Sequence, residues 1–288
     1  MASAWRSLLG GSAVSNSTTA ADLVTGRKLL AQIQVALADA FQQQKDARAL
    51  SVDEIAPIKA LCDQLLPAHF QLAVPIAGSA AITHRKARHV RYQHIWEDDK
   101  FSMGIFILPP GASIPLHDHP EMTVISRVLY GNLHVKACDL VPEKDAGALV
   151  RENFSSKSPS ESLRLARMCT NQEIAAPYTT ELLPDRGNLH EFVAGDGVGC
   201  AIFDILTPPY EPDEGRDCTY YRFVGPATHD AASGDEFVAL EEFDPVEFEV
   251  HSEPYRGPVL MLSTPMSTAS SSSSVSSGGT RSPSSSSP

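Results

Sequence analysis

Residues 107–131 read ILPPGASIPLHDHPEMTVISRVLYG, and the two histidines at their centre, His117 and His119, set what the rest of the chain must supply. On a strand, residues i and i+2 point to the same face, so both imidazoles can reach one ion while Asp118 points away. A third histidine, His190 in PDRGNLHEF (residues 184–192), lies far downstream and can complete the set from another strand. His117, His119 and His190 are therefore the candidate metal ligands.

Outward from this stretch the chain, from about Ala73, is a succession of short apolar or alternating runs: VRYQHIW, FSMGIFIL, MTVISRVLYG, LHVKACDL, EFVA and CAIFDIL. Pro and Gly separate them, as expected of strands. Many short strands without interleaved helices predict a sandwich or closed barrel. Upstream, Leu23, Leu29, Leu30, Ile33, Leu37 and Phe41 recur at helical spacing and predict a helix from Ala21 to Lys45. A second helix is expected from SVDE, where Ser51 and Glu54 have capping-box spacing, through Ile58 and Leu61 to Leu66 before Pro67. Cys62 within it reads as a core residue. The polar stretch 141–157 reads as a surface loop, and the serine-rich tail cannot bury enough apolar surface to fold. The expected organisation is a disordered N-terminus (1–20), helices packed on a barrel (21–72), a mainly β domain carrying the histidines (73–264) and a disordered tail (265–288).

The chain has 288 residues, 42% of them hydrophobic, which is enough for a barrel-sized core. A net charge of −12 argues against a nucleic-acid or anionic-membrane binder, since both need concentrated Lys and Arg. No run reaches the roughly 18 apolar residues that span a bilayer. Five scattered cysteines without a CxxC pair fit a reducing compartment, with the cytoplasm, and also the nucleus, as the expected location. The acid-free first 21 residues can be read as a weak organelle-targeting peptide or, more simply, as a frayed terminus. A barrel that closes its own edges is expected to be a monomer.

Gly111, His117, His119, Val124 and Gly131 follow the spacing of the first cupin motif, and Pro184, Gly187 and His190 echo the second. The chain thus resembles the cupin superfamily, which implies a double-stranded β-helix, a jelly-roll-like barrel with the metal inside. Val124 stands where many cupins place a glutamate ligand, so the resemblance implies three neutral histidines. Such a set leaves a divalent ion at full charge and favours an anionic thiolate. Glu121 keeps the parity of the two histidines, but Pro120 interrupts the strand and is expected to place Glu121 at the mouth. His134 on the next run reads as structural or as support for a ligand. His69, His84, His89, His94, His229 and His251 have no partner spacing and read as surface or core residues.

The text around the histidines is more specific. PLHDHPEMTVISRVLYGNLHVKACD, GNLHEF, FDILTPPY, EGRDCTYYRF, LEEF and PYRGPVL, in this order from about Leu23 to Leu262, resemble plant cysteine oxidases and, more distantly, animal cysteamine (2-aminoethanethiol) dioxygenases. The resemblance implies Fe(II)- and O2-dependent oxidation of an N-terminal cysteine of a peptide or protein to cysteine sulfinic acid, a product that marks proteins for arginylation and degradation in an oxygen-linked N-degron. Fe(2+) is the implied cofactor, with His117, His119 and His190 as its ligands.

By motif match the resemblance also places Asp204 near the metal, directs Tyr210 of TPPY towards the site, and pairs Cys218 with Tyr220, residues that can form a thioether in the animal relatives. The plainer readings are a buried ion pair or turn contact for Asp204, loop packing for Tyr210, and a core cysteine beside a tyrosine. Asp118 is expected to be structural. Glu121 departs from the glycine usual in the family after HDHP, which bears on substrate preference. Cysteamine or another small thiol as substrate, and a non-catalytic metal-binding cupin, are the alternatives.

Overall fold

The structure is a computed structural model that describes residues 18–41, 48–76, 89–142, 144, 163–230 and 233–260. Residues 1–17 of the expected disordered N-terminus, the expected disordered tail and most of the expected 141–157 loop lie outside the described residues; residues 18–20 are ordered and run into the start of the first helix at Ala20.

Helix α1 (Ala20–Phe41) buries Leu29, Leu30, Ile33, Leu37 and Phe41, the stripe that the spacing predicts. It opens on a reciprocal cap: the Asp22 amide donates to the Thr19 hydroxyl (3.2 Å), and Asp22 Oδ2 accepts from the Thr19 amide (2.8 Å). Helix α2 (Val52–Cys62) starts at the expected Ser51–Glu54 capping box, and Cys62 is buried in the core. It ends four residues before the expected Leu66, where the Gln64 and Leu65 amides turn back to the Leu61 (3.1 Å) and Cys62 (3.0 Å) carbonyls. The Arg127 guanidinium, 5% exposed, donates to the carbonyl oxygens of Asp63 (2.6 Å) and Leu65 (3.3 Å), acceptors past the helix end that have no partner within it. A short 3-10 turn, Pro67–Phe70, follows.

The rest is β: β1 (Val90–Glu97), β2 (Ser102–Leu108), β3 (Ser113–His117), β4 (Thr123–Leu140), β5 (Leu163–Ala175), β6 (Tyr178–Leu182), β7 (Leu189–Ala194), β8 (Cys200–Thr207), β9 (Tyr221–His229), β10 (Glu236–Glu242) and β11 (Val250–Ser252). The pairing order β11-β1-β2-β8-β4-β5-β10-β9, with β6 and β7 also on β4 and β3 on β7, is that of a double-stranded β-helix. The long strand β4 belongs to both halves. Thr123–Gly131 pairs with β8, and within it Val124–Val128 also pairs with β6; Asn132–Leu140 pairs with β5, and within it Leu133–Cys138 also pairs with β7. At the changeover Gly131 has φ +78°, and a Cβ there would lie 1.8 Å from the Gly199 carbonyl oxygen, so glycine is required.

Parity divides β8 between two cores. Ala201, Phe203 and Ile205 face the helices, joining Leu30, Ile33, Leu37, Ile55 and Ile58 around Ile105 and Ile125. Ile202 faces the barrel interior with Val128, Leu133 and Phe192, so Asp204 on the same parity faces that interior too. The helices are therefore a wall of the fold, tied down further by the Thr123 hydroxyl donating to the Leu50 carbonyl oxygen (2.7 Å) and by a Lys59–Glu181 ion pair.

Candidate metal centre

The three histidines converge. His117 closes β3 and pairs with His190 on β7, and His119 Nε2 lies 3.1 Å from His190 Nε2. One ligand nitrogen from each lies within 4.8 Å of the others. Their exposures of 8%, 4% and 7% for His117, His119 and His190 place the rings inside the barrel. Burial pushes His117 down to about 4 and holds His119 and His190 well below the usual imidazole range. All three are thus neutral at pH 7, the form in which imidazole binds a metal. Three buried neutral imidazoles with converging nitrogens fit a divalent transition metal.

One expectation changes in detail. The strand ends at His117, so His119 is not carried by β-sheet parity. Its backbone is held instead by Asn188, whose side-chain oxygen accepts from the His119 amide (3.2 Å) and whose side-chain nitrogen donates to the His119 carbonyl (2.7 Å). Asn188 is buried, and its own amide donates to Asp139 Oδ1 (3.2 Å). Asn188 stands two residues before His190 but just outside β7, so strand parity gave no signal for it.

The rings are oriented from behind. His117 Nδ1 lies 2.8 Å from the Pro115 carbonyl oxygen and donates to it, leaving Nε2 with its lone pair. Tyr210 does the same for His119. Its hydroxyl donates to the Asp118 carbonyl oxygen (2.8 Å), so its oxygen accepts from His119 Nδ1 (2.8 Å). These tautomers are assigned from the bonding partners.

Asp118 turns away from the triad, as expected, and ties down residues 219–221. Oδ1 accepts from the Thr219 amide (2.8 Å) and Oδ2 from the Tyr221 hydroxyl (3.2 Å), while the Asp118 amide donates to the Thr219 carbonyl (3.1 Å). That clamp sets Tyr220 beside His117, with ring centroids 6.0 Å apart. Cys218 lies outside any strand, so strand parity does not bring it to Tyr220. Its thiol nevertheless lies beside the hydroxyls of Tyr210 and Tyr220, and burial pushes it up to about 11.

Asp204 is buried and pairs in register with Gly104 and Ser126. Burial pushes its carboxyl up to about 7, against the opposing hydrogen bond from Ser126. Its Oδ1 has no hydrogen-bond partner among the described residues. The expectation that this charge needs a partner is met by one hydroxyl, with no cation paired to it among the described residues. Val124, also buried, shares the inward parity of Ser126 and Val128. A cavity of about 300 Å3 reaches His190 between Ser126, Val135, Thr180 and Phe192.

Glu121 is exposed, as its expected place at the mouth requires, and occupies the left-handed region with φ +56°. It is the third residue of a turn closed by the Met122 amide donating to the His119 carbonyl (3.1 Å), a position that favours glycine. It borders a cavity of about 290 Å3 with Arg48, Pro184, Pro208 and Arg216. His134 lies half-exposed on β4, opposite Glu173 and Val193.

Comparison with known proteins adds the following. The PCO_ADO family model matches residues 52–260. Plant cysteine oxidase 2 of Arabidopsis thaliana is 35% identical over 183 residues, which cover 63% of this chain and 61% of that protein. The 2-aminoethanethiol dioxygenase of Mus musculus is 38% identical over 187 residues, covering 60% of this chain and 72% of that one. The chain thus spans about three fifths of the length of the plant relative. Among solved structures, an RmlC-like cupin from Shewanella frigidimarina overlaps 47% of this chain and 96% of its own, at 14% identity and a TM-score of 0.28. Among the described residues no helix is long and apolar enough to cross a membrane.

Proposed function

The chain belongs to the PCO_ADO family, and from that premise we propose that it is an Fe(II)- and O2-dependent thiol dioxygenase that oxidises the N-terminal cysteine of peptides or proteins to cysteine sulfinic acid. The observation that carries this reading is a buried triad of three neutral imidazoles with no carboxylate among them, in a chain of this family. His117, His119 and His190 are the ligands. Bound iron would supply the one-electron chemistry that lets dioxygen react with a thiol. The stoichiometry is RSH + O2 giving RSO2H: both oxygen atoms end on sulfur, which loses four electrons, and dioxygen gains four.

The protein's part is positioning and electrostatics. The neutral triad would leave the charge of a bound ion unopposed, which would favour the thiolate form of a substrate thiol there. Tyr210 and Pro115 fix the tautomers of His119 and His117. Asp204 offers an unsatisfied buried oxygen to a polar group of the substrate, for which an α-ammonium is the natural partner. Cys218 and Tyr220 form the wall beside His117, close enough for their side chains to interact. A monomer in the cytoplasm or nucleus, acting on N-terminal cysteine in an oxygen-linked N-degron, completes the reading.

A small thiol is the second reading, favoured by the similarity to 2-aminoethanethiol dioxygenases and by a cavity of only about 300 Å3 beside His190. One experiment separates the two. The iron-loaded protein is incubated under air with a Cys-initiated peptide, its N-acetylated control, or cysteamine, and products are read by mass spectrometry. A gain of two oxygen atoms on the free N-terminal cysteine, absent from the acetylated peptide, is expected. Oxidation of cysteamine alone supports the small-thiol reading, and no oxidation of any of them leaves a metal-binding barrel without turnover.

A further inference from the structure

The geometry points to a second metal site, separate from the buried triad: we propose that His89, Glu249 and His251 bind a divalent cation of intermediate softness such as Zn2+. This cluster lies at the outer edge of the sheet. His89 immediately precedes β1, while Glu249 and His251 flank and occupy β11, which runs parallel to β1 with Val90 opposite Val250 and Arg91 opposite His251. One ligand atom from each of the three residues lies within 4.8 Å of the other two.

Local geometry brings the donors together in two ways. Glu249 and His251 are i and i+2 on an extended segment and share a side, which leaves His251 Nε2 3.2 Å from Glu249 Oε2. The His89 ring stacks on that of His251, with centroids 4.5 Å apart and planes inclined by 16°. The stack sets two ring edges side by side, and binding one ion would require the half-buried His89 and the exposed His251 to rotate their rings towards it.

Chemistry selects the ion. Two imidazoles and one carboxylate suit zinc and its first-row neighbours, whereas calcium and magnesium prefer oxygen cages. Water would fill the remaining positions, because Glu249 and His251 are exposed. The surroundings favour a cation. The groove of about 780 Å3 that His89 and Glu249 line also carries Asp244 and Glu247, and the nearest strand cation, Arg91, is engaged by Glu253 at 3.0 Å.

Such a site would act as a clip. Strand β11 is three residues long, exposed throughout, and joined to the sheet by three register pairs. A cation held between His89 on one side and Glu249 with His251 on the other ties this C-terminal segment to the barrel edge without touching the triad.

The test is a zinc titration of the full chain, its triad loaded with Fe(II), against a chromophoric chelator. The wild type should take up one further equivalent of zinc and its Tm should rise, while H89A/H251A takes up none and keeps its triad metal and thiol turnover. E249Q should weaken the extra equivalent by about tenfold or more. The difference between wild type and double variant is one equivalent whichever metal the triad holds, so the outcome is independent of the proposed activity. Circular dichroism checks that the double variant is folded, and Co2+ absorption in the visible range reports imidazole ligation. No saturable extra equivalent in the wild type, or the same equivalent in H89A/H251A, overturns the proposal and leaves a surface histidine–glutamate pair.

Discussion

The Tyr210 hydroxyl and His119 Nδ1 lie 2.8 Å apart, on the side of the imidazole away from the other two histidines. Because the same hydroxyl donates to the Asp118 carbonyl, it can only accept from the ring. The Tyr210→Phe variant therefore frees His119 to rotate and to adopt the other tautomer. Metal affinity should fall about 10- to 100-fold, as for other groups that support a ligand from behind. Competition with a chelator of known affinity measures it, and unchanged affinity would remove Tyr210 from this role.

Asn188 bonds both backbone groups of His119. Its replacement by alanine strands the buried His119 amide and removes one of the two donors to its carbonyl, leaving the Met122 amide, which costs about 1–3 kcal/mol. Urea unfolding of the metal-free protein should register that loss, and metal content should drop as well. An Asn188→Asp variant keeps the acceptor for the His119 amide but loses the donor to its carbonyl, so it should fall between the two.

Asp204 makes a prediction with a definite sign. Burial raises its carboxyl from 3.8 to about 7, so between these values the folded chain holds a proton that the unfolded chain has lost. The contribution of this group is therefore full below about pH 4 and is lost as the pH rises to about 7, on the order of a few kcal/mol in all. The histidines push the other way, since a lowered imidazole is lost to stability as the pH falls. The difference between wild type and Asp204→Asn isolates the carboxyl. In metal-free protein, stability of the variant relative to wild type should rise from pH 5 to pH 8, and a flat difference would contradict the burial argument.

At Glu121 the expected change is a gain. A left-handed non-glycine residue costs about 1–2 kcal/mol, partly offset by the extra entropy glycine loses on folding. Glu121→Gly should therefore stabilise the protein by about 0.5–1 kcal/mol in thermal or urea unfolding. With its charge gone from the mouth, the ratio of turnover for a lysine-bearing against a glutamate-bearing Cys-initiated peptide should also fall.

The sequence shows the parts of this molecule that depend on spacing. His117, His119 and His190 could be read because metal ligands must recur at intervals the barrel brings together, and the Ser51–Glu54 cap because it is a local hydrogen-bonding pattern. The end of α2 could not: the carbonyls just past it are held by Arg127, more than sixty residues away. His119 met the right neighbours by a route that strand parity does not describe: a turn through Pro120 and Glu121, pinned by Asn188. Long-range side-chain contacts to backbone leave no periodic trace, and the same holds for Asp118 with Thr219 and Tyr221. Cys218 illustrates the converse. It lies outside any strand, so its place beside Tyr220 is not set by sheet parity.

The continuity of β4 through Gly131 has a consequence for how this chain can change over evolutionary time. One uninterrupted run of backbone sets both where Ser126 meets Asp204 and where Ala137 meets His190. A residue inserted or deleted at Gly131 would shift one register against the other and, with a period of two, reverse the facing of a whole half-strand. Length variation in this family member is therefore expected in its connections, and the interior of β4 should tolerate substitution far better than any change of length.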